Sequence, residues 1–437
     1  MASIVAYGGI DEVGGNKFLL RDEESSIMID FGLSYRQRGK FFTDPFLKPR
    51  DLRVMLELGI LPDIPGAYSK EGPKPFSAVL LSHAHRDHAG HIGLLRDDIP
   101  IYAGEASQLI LEAYKDISRK EMEFYIGGKA IKKFHTGDSV VFDSIEISPI
   151  HVDHSIPGAY GFIIRTPSSI IAYSGDFRIH GPRSDMTLDF IDAMKKDRPD
   201  MLLVEHTNIA DGEVSSESEV QRKLSSVVAE CPSLIVGDFA LADVDRYRSF
   251  YRAARQANRK LVISARRAYL LDRISSDSTL RLPGPRDGVC VLERERVKVQ
   301  QWEERVCRKW GTVALSEISS HQRDNLLVVP TSELQGVMRI GPKAGSIFVF
   351  SSSEPFNEEM ELDYERLTNW LDALGMGVYG IHVSGHAMPI DLRRLVKEVR
   401  PRVVVPMHGE HPAAFAKYVS DLGADVRIPV MGQRIAT

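Results

Sequence analysis

The chain has 437 residues, of which 43% are hydrophobic and 26% charged, and a formal net charge of −5; that length exceeds one ordinary core, so two domains or one large domain with an insertion are expected. No run of about 18 apolar residues occurs, and the first nine residues carry neither a basic nor a long apolar leader, so membrane spanning and export are not expected. The three cysteines, Cys231, Cys290 and Cys307, have no CxxC spacing, which argues against disulfides and a thiolate zinc site and fits a cytoplasmic protein.

The first 60 residues alternate in the manner of sheet hairpins, with strands expected near 4–7, 17–20 and 26–30. The glycine-rich residues 8–17 lack a Gly-Lys-Ser/Thr ending and lead into a strand rather than a helix, so they read as a turn and not a phosphate loop. An apolar run at 77–81 then ends in Ser82-His83-Ala84-His85-Arg86-Asp87-His88, before a helix-like stretch at 89–97. A lone histidine beside an apolar strand is ordinarily a packing residue. Four ligand-type side chains in six residues are a different signal. The strand end fixes His83 and His85, and the turn into a helix swings Asp87 and His88 to the other flank, so two metals a few ångströms apart can be held between them. His91, on the following turn, reads as a packing or ligand-supporting residue.

A helix is expected at 105–124, a strand-rich series at 130–176, and a buried strand at 201–204 ending in Glu205-His206-Thr207. The rhythm then changes to strands at 233–236, 260–263 and 346–350 alternating with helices at 241–257 and 266–275, a parallel-sheet pattern. Residues 241–310 hold 17 of the 55 Lys and Arg but only 9 of the 60 Asp and Glu, which suggests a polyanion-binding face on an otherwise acidic chain. From 377 onward strands and short helices return. The layout expected is one domain interrupted by another: 1–206 and 373–437 form the first, 207–372 the insert.

Two metals need further ligands, including a carboxylate able to bridge. Three later strand ends supply candidates: His154 in His151-Val152-Asp153-His154-Ser155-Ile156-Pro157, Asp176 in Ser174-Gly175-Asp176, and His408 in Met407-His408-Gly409-Glu410. With these motifs, and with Gly-Gly-Ile-Asp-Glu-Val-Gly near the start and His382-Val383-Ser384-Gly385-His386, the chain resembles the ribonuclease J family over essentially its whole length. That family is part of the β-CASP branch of metallo-β-lactamase proteins. The resemblance implies an αββα sandwich interrupted by a parallel α/β β-CASP domain. It also implies two zinc ions, with manganese an alternative: one held by His83, His85 and His154, the other by Asp87, His88 and His408, with Asp176 between them. Glu205, His386 and His408 match the carboxylate and two histidines peculiar to the branch. Two features depart from the family pattern. Glu205-His206-Thr207 stands where Asp-Ser-Thr is usual, a glutamate more like the cleavage-and-polyadenylation nucleases. The sequence also stops about 30 residues after His408, as in the shorter archaeal kind.

The expected chemistry is phosphodiester hydrolysis by activated water on single-stranded RNA, with Asp87, Glu205 and His386 in catalytic roles and Ser384 and His386 on the phosphate. By resemblance the action is 5′-to-3′ exonucleolytic, with endonuclease cutting as a second mode and homodimers common. Arg266, Arg267 and Ser351-Ser352-Ser353 are further phosphate candidates. A small-molecule hydrolase would need neither the insert nor the Ser384/His386 element. An RNA 3′-end-processing endonuclease or a DNA nuclease of the same branch stays open, because no motif here reads the 2′-hydroxyl.

Overall fold

The computed structural model describes the chain apart from residues 45, 119–121, 124, 211–214, 295–298 and 354–357. It divides into two compact units, Met1–Val214 with Gly385–Thr437, and Ser215–Ser384.

The first unit contains two seven-stranded sheets. One is built from β1 (Ser3–Gly8), β2 (Lys17–Asp22), β3 (Ser25–Ile29), β4 (Val79–Leu80), β5 (Ile101–Gly104) and β6 (Ile131–Phe134), with the last strand of the chain, β21 (Arg434–Ala436), outside β1. The other takes β7 (Val140–Phe142), β8 (Ile145–His151), β9 (Tyr160–Arg165), β10 (Ile170–Tyr173) and β11 (Met201–Glu205), and then β19 (Val403–Met407) and β20 (Asp425–Val426). Hairpins build one half of each sheet. The other half is parallel, with β3 to β6 in the first and β10, β11, β19 and β20 in the second.

Alternation with a period of two decides which faces meet. Ile4, Ala6, Phe18, Leu20, Ile27 and Ile29 from the first sheet pack on Phe162, Ile164, Ile171, Tyr173, Met201 and Leu203 from the second, in one buried layer. Phe18 meets Tyr173 edge-on at 5.9 Å between ring centroids, and Phe134 meets Tyr160 at 4.9 Å. Each such ring contributes about 2–3 kcal/mol by leaving water. The opposite residues of the second sheet, among them Ile163, Ala172, Leu202, Val204 and Val404, take the apolar stripes of the helices Ser184–Asp197, Pro389–Val399 and Pro412–Tyr418. The helix Glu105–Ile117 buries Ile110 and Leu111. This is the αββα sandwich of the metallo-β-lactamase fold.

The second unit is a seven-stranded sheet, parallel throughout, in the order β15 (Thr312–Val313), β14 (Cys290–Leu292), β13 (Lys260–Ile263), β16 (Asn325–Val328), β12 (Ile235–Asp238), β17 (Ile347–Phe350) and β18 (Gly377–Gly380). Its boundaries fall at 214/215 and 384/385, not at the expected 206/207 and 372/373. Packing explains both shifts. Thr207 and Ile209 are tied to the first unit by the Thr207 hydrogen bond to His408 and by the apolar contacts of Ile209, while β18 is hydrogen-bonded to β17 and so belongs to the insert.

The expected helix at 89–97 is instead a single turn, Arg86–Ala89, followed by a 3-10 turn, Ile92–Leu94. The carbonyls of Arg86, Asp87 and His88 accept hydrogen bonds from the amides of Leu33, Asn16 and Phe31, and a continuing helix would compete for them. All three cysteines are free, and among the described residues no helix is long and apolar enough to cross a membrane.

Candidate metal centre

Six strands deliver side chains to one edge of the sandwich. Asp30 follows β3, the His83–His88 run follows β4, His154 follows β8, Asp176 follows β10, Glu205 ends β11, and His408 follows β19. Their donor atoms converge. His83, His85, His154 and Asp176 form one group within 4.8 Å, Asp87, His88 and His408 a second, and Asp176, His386 and His408 a third that links them. His83 Nε2 lies 2.9 Å and His154 Nε2 3.2 Å from His85 Nδ1. Asp176 Oδ2 lies 3.6 Å from His83, 3.1 Å from His88 and 3.4 Å from His408, and His408 Nε2 lies 3.1 Å from Asp87 Oδ2. Ligand atoms around a tetrahedral zinc with bonds of 2.0–2.1 Å stand about 3.3 Å apart, the spacing found here.

The polar satisfaction of these groups points the same way. His88 Nε2 and both carboxylate oxygens of Asp176 are buried and have no hydrogen-bond partner among the described residues, although His88 and Asp176 approach to 3.1 Å. Buried orphans of this kind are rare unless an ion satisfies them. Burial pushes His83 and His154 well below the usual histidine range, helped by neighbouring imidazoles, and takes His85 down to about 4, so all three are neutral at neutral pH, the form in which an imidazole can bind a metal. Burial also opposes ionisation of Asp176 and Asp87, yet the surrounding histidines hold both well below the ordinary carboxylate range. His88 moves upward against its burial because Asp176 and Asp30 flank it. A cation between His88 and Asp176 would take the place of that proton. The donor set suits a divalent metal.

Residues behind these candidate ligands fix which nitrogen faces inward. Asp30 Oδ2 lies 2.8 Å from His88 Nδ1 and also accepts from Tyr173 Oη at 2.7 Å and Ser82 Oγ at 2.8 Å, while Asp30 Oδ1 accepts from Ser82 N at 2.7 Å. His154 Nδ1 donates to Gly385 O at 2.6 Å. Thr207 Oγ1 lies 3.0 Å from His408 Nδ1 and donates to the His408 carbonyl at 2.8 Å. Each arrangement leaves Nε2 as the free lone pair. Sequence reasoning missed Asp30 and Thr207. The only signal for Asp30 is a carboxylate directly after an apolar strand, and Thr207 offers only its nearness to Glu205.

The glycine-rich residues 8–17 form the wall behind Asp87. A Cβ on Gly14, where φ is +89°, would stand 2.5 Å from the Cβ of Asp87, and one on Gly32 would stand 1.6 Å from the Asp87 carbonyl oxygen. Close approach, not phosphate binding, is what these glycines allow.

Glu205 is fully buried and accepts from the amides of Ala387 at 3.0 Å, Thr207 at 3.2 Å and Phe177 at 3.3 Å, and it stands 3.4 Å from His386 Nδ1. Burial alone would lower His386; the Glu205 carboxylate, with Asp176 and Asp87, lifts it to about 9. Ser384 is half-buried and directly precedes Gly385. His206 is turned away, its Nδ1 bonded to the Met407 carbonyl at 2.8 Å. His91 is buried against Glu123 at 3.2 Å.

Several phosphate candidates are structural. Arg267 is 3% exposed, donates to the carbonyls of Phe239, Ala240 and Leu241, and lies over the Phe239 ring at 3.9 Å. Ser351 is bonded to Arg246 and to the Ile381 carbonyl within the second unit. Arg246 and Arg259, which add to the basic count of 241–310, are buried as well. Arg266, by contrast, is exposed.

Comparison with known proteins places the chain among metallo-β-lactamase-fold hydrolases. Residues 40–220 match the beta-lactamase superfamily domain and residues 374–429 the Zn-dependent metallo-hydrolase RNA specificity domain. The chain is 26% identical to ribonuclease J of Sinorhizobium meliloti over 97% of its own length and 71% of that protein's. It is 24% identical to ribonuclease J of Thermus thermophilus (93% and 68%), and also 24% identical to that of Pyrococcus abyssi (94% and 90%). A crystal structure of a protein of unknown function from Enterococcus faecalis shares the fold across 99% of both chains, with a TM-score of 0.79 and 21% identity. Together these matches support the ribonuclease J family of metallo-β-lactamase-fold proteins, to which the chain is similar over nearly its whole length.

Proposed function

We propose that the protein is a metal-dependent ribonuclease that hydrolyses single-stranded RNA with two divalent cations, zinc or manganese. One cation is held by His83, His85 and His154, the other by Asp87, His88 and His408, with Asp176 shared. The observation that carries this reading is Asp176 Oδ2, which lies within 3.9 Å of histidines from both groups while making no hydrogen bond among the described residues. Held there, such a pair of cations would supply Lewis-acid activation of a water and charge neutralisation at the phosphodiester.

The protein's own groups do the rest. Asp87 and Asp176 supply the negative charge that draws the cations in, and the seven ligands converge from rigid strand ends, so positioning costs little at the moment of reaction. His386, protonated at neutral pH because Glu205 faces it, donates a proton or hydrogen bond to the leaving oxygen. Glu205, anchored by three backbone amides, keeps His386 in place. The Ser384 hydroxyl next to Gly385 is assigned to a phosphate oxygen. The family supports 5′-to-3′ exonuclease action, with endonuclease cutting as a second mode.

The test is incubation with 5′-monophosphorylated and 5′-triphosphorylated RNA and matched DNA, labelled at either end, beside His83→Ala and Asp176→Ala. Mononucleotides released from the 5′ label of RNA, and lost in both variants, support the reading. Cleavage of DNA alone overturns it.

A further inference from the structure

On the outer face of the first unit lies an open hollow of about 1120 Å³ between the ends of the helices Ser184–Asp197 and Pro389–Val399. Six cations line it, Lys195, Arg198, Arg393, Arg394, Lys397 and Arg400, against a single acid, Glu398. On a chain with net charge −5 this is a concentrated basic surface. Glu398 takes Lys195 and Arg394, and Asp421 takes Arg393. Arg198, Lys397 and Arg400 are exposed and have no ion pair among the described residues.

Ile390, Arg393, Lys397 and Arg400 recur at spacings of three and four, so they form one stripe along the helix Pro389–Val399 and its cap. Ile390 is 68% exposed, and Tyr418 presents its ring beside Arg393, whose guanidinium lies 5.6 Å from the centroid. Basic side chains along a groove with an aromatic and an apolar face among them suit a nucleic-acid strand, with phosphates on the cations and bases on the ring.

Helix ends attract cations in any protein, which would account for Lys195 and Lys397. It does not account for Arg198 and Arg400. Both cap their helices in the left-handed conformation, at φ +52° and +54°, which glycine takes freely and arginine only at a cost. The fold would prefer glycine at both positions, and both hold an arginine that opens into the same hollow.

The stripe begins close to the metal centre and leads away from it. Pro389 is three residues past His386, and the eleven-residue helix carries the stripe about 16 Å further. Arg198 likewise stands before β11, whose far end bears Glu205.

We propose that this stripe and the hollow it lines form a second RNA-contacting surface, which holds the sugar-phosphate backbone of a single strand away from the point of cleavage. The inference rests on RNA being the substrate. At roughly 3.4 Å per stacked nucleotide, the stripe spans about five nucleotides.

The test is the metal-loaded triple variant Arg198→Gly, Lys397→Gln and Arg400→Gly. Glycine suits both left-handed caps, so the melting temperature is expected to hold or rise. For RNA of about 30 nucleotides, KM is expected to increase about tenfold or more with kcat unchanged, and the slope of log affinity against log salt to become shallower by about 2. RNA of about 2 or 3 nucleotides, too short to reach from the metals to Arg198, Lys397 and Arg400 at the far end of the stripe, should be cut equally by both proteins. An unchanged KM and salt slope on the long RNA overturn the proposal. So does tenfold tighter binding of a polyglutamate of matched charge than of RNA, which would assign the hollow to an acidic protein. Fluorescence anisotropy with the long RNA keeps the two readings apart: if the wild type cuts no RNA, a loss of binding in the variant still supports this surface, and equal binding still removes it.

Discussion

Asp30→Asn tests whether the orientation of His88, and not merely its presence, makes the metal centre. One Asp30 oxygen accepts the Ser82 amide at 2.7 Å; the other faces three donors, Ser82 Oγ, Tyr173 Oη and His88 Nδ1. Burial and the Asp30 carboxylate hold Tyr173 far above its ordinary range, so it stays a donor. An asparagine of the same size presents two amide hydrogens on one side. Toward Ser82 they meet an N–H. Toward the other side they meet three donors, and His88 then keeps its proton on Nε2, the nitrogen aimed at Asp176. A hydrogen bond to a charged group contributes about 1.5–3 kcal/mol, and stranding a buried donor costs about 1–3 kcal/mol more, so the metal-free protein should lose about 3 kcal/mol. Loss of a partner behind a metal ligand weakens metal binding by about 10–100-fold. Isothermal titration of zinc into stripped protein should show that loss for one ion, while the ion on His83, His85 and His154 keeps near-normal affinity. Equal and unchanged affinities for both ions, with an unchanged melt, would refute the orienting role of Asp30.

Gly32→Ala should abolish metal binding or folding, since its Cβ would stand 1.6 Å from the Asp87 carbonyl oxygen; zinc content and a circular-dichroism melt decide. Glu205→Gln should move the alkaline limb of the pH-rate profile. In the proposed role His386 acts as its protonated form, so activity should fall as pH rises through about 9, and without the Glu205 charge it should fall at lower pH; an unmoved limb counts against the pair. In the second unit, burial raises Asp238 to about 6 despite Arg267 nearby. A raised carboxyl pKa means the folded state favours the proton, so the stability it gives is present at low pH and lost as pH climbs through about 6. Asp238→Asn should therefore raise the melting temperature at pH near 8, raise it less near 5 and leave it nearly unchanged below about 4, and equal shifts at all three would show that burial of the charge is not the cause.

The parts of the site legible in the sequence are those whose chemistry is local. His83, His85, Asp87 and His88 stand within six residues, and His154, Asp176 and His408 each follow an apolar strand, so strand ends and ligand chemistry were enough to nominate them. Asp30 and Thr207 act through another residue, by one hydrogen bond across 58 and 201 positions, and nothing in their neighbourhood distinguishes them from ordinary turn residues. The helix expected at 89–97 failed for a related reason: its apolar spacing was right, but tertiary partners had already taken the carbonyls of 86–88.

Charge shows the limit of counting along the chain most directly. Residues 241–310 carry an excess of Lys and Arg, yet Arg246, Arg259 and Arg267 spend their guanidinium groups on backbone carbonyls inside the second unit. A linear count gives a buried, hydrogen-bonded arginine the same weight as an exposed one. The four cations of 389–400 are interleaved with Asp391 and Glu398, so their run carries only a net +2 over twelve residues, too short to stand out in sequence. Wound into a helix, Arg393, Lys397 and Arg400 turn to one side, and Arg198 joins them from a helix some 200 residues away. What a polyanion meets is the face and not the run, so the helical period and the fold together, rather than composition, decide where this acidic protein can hold one.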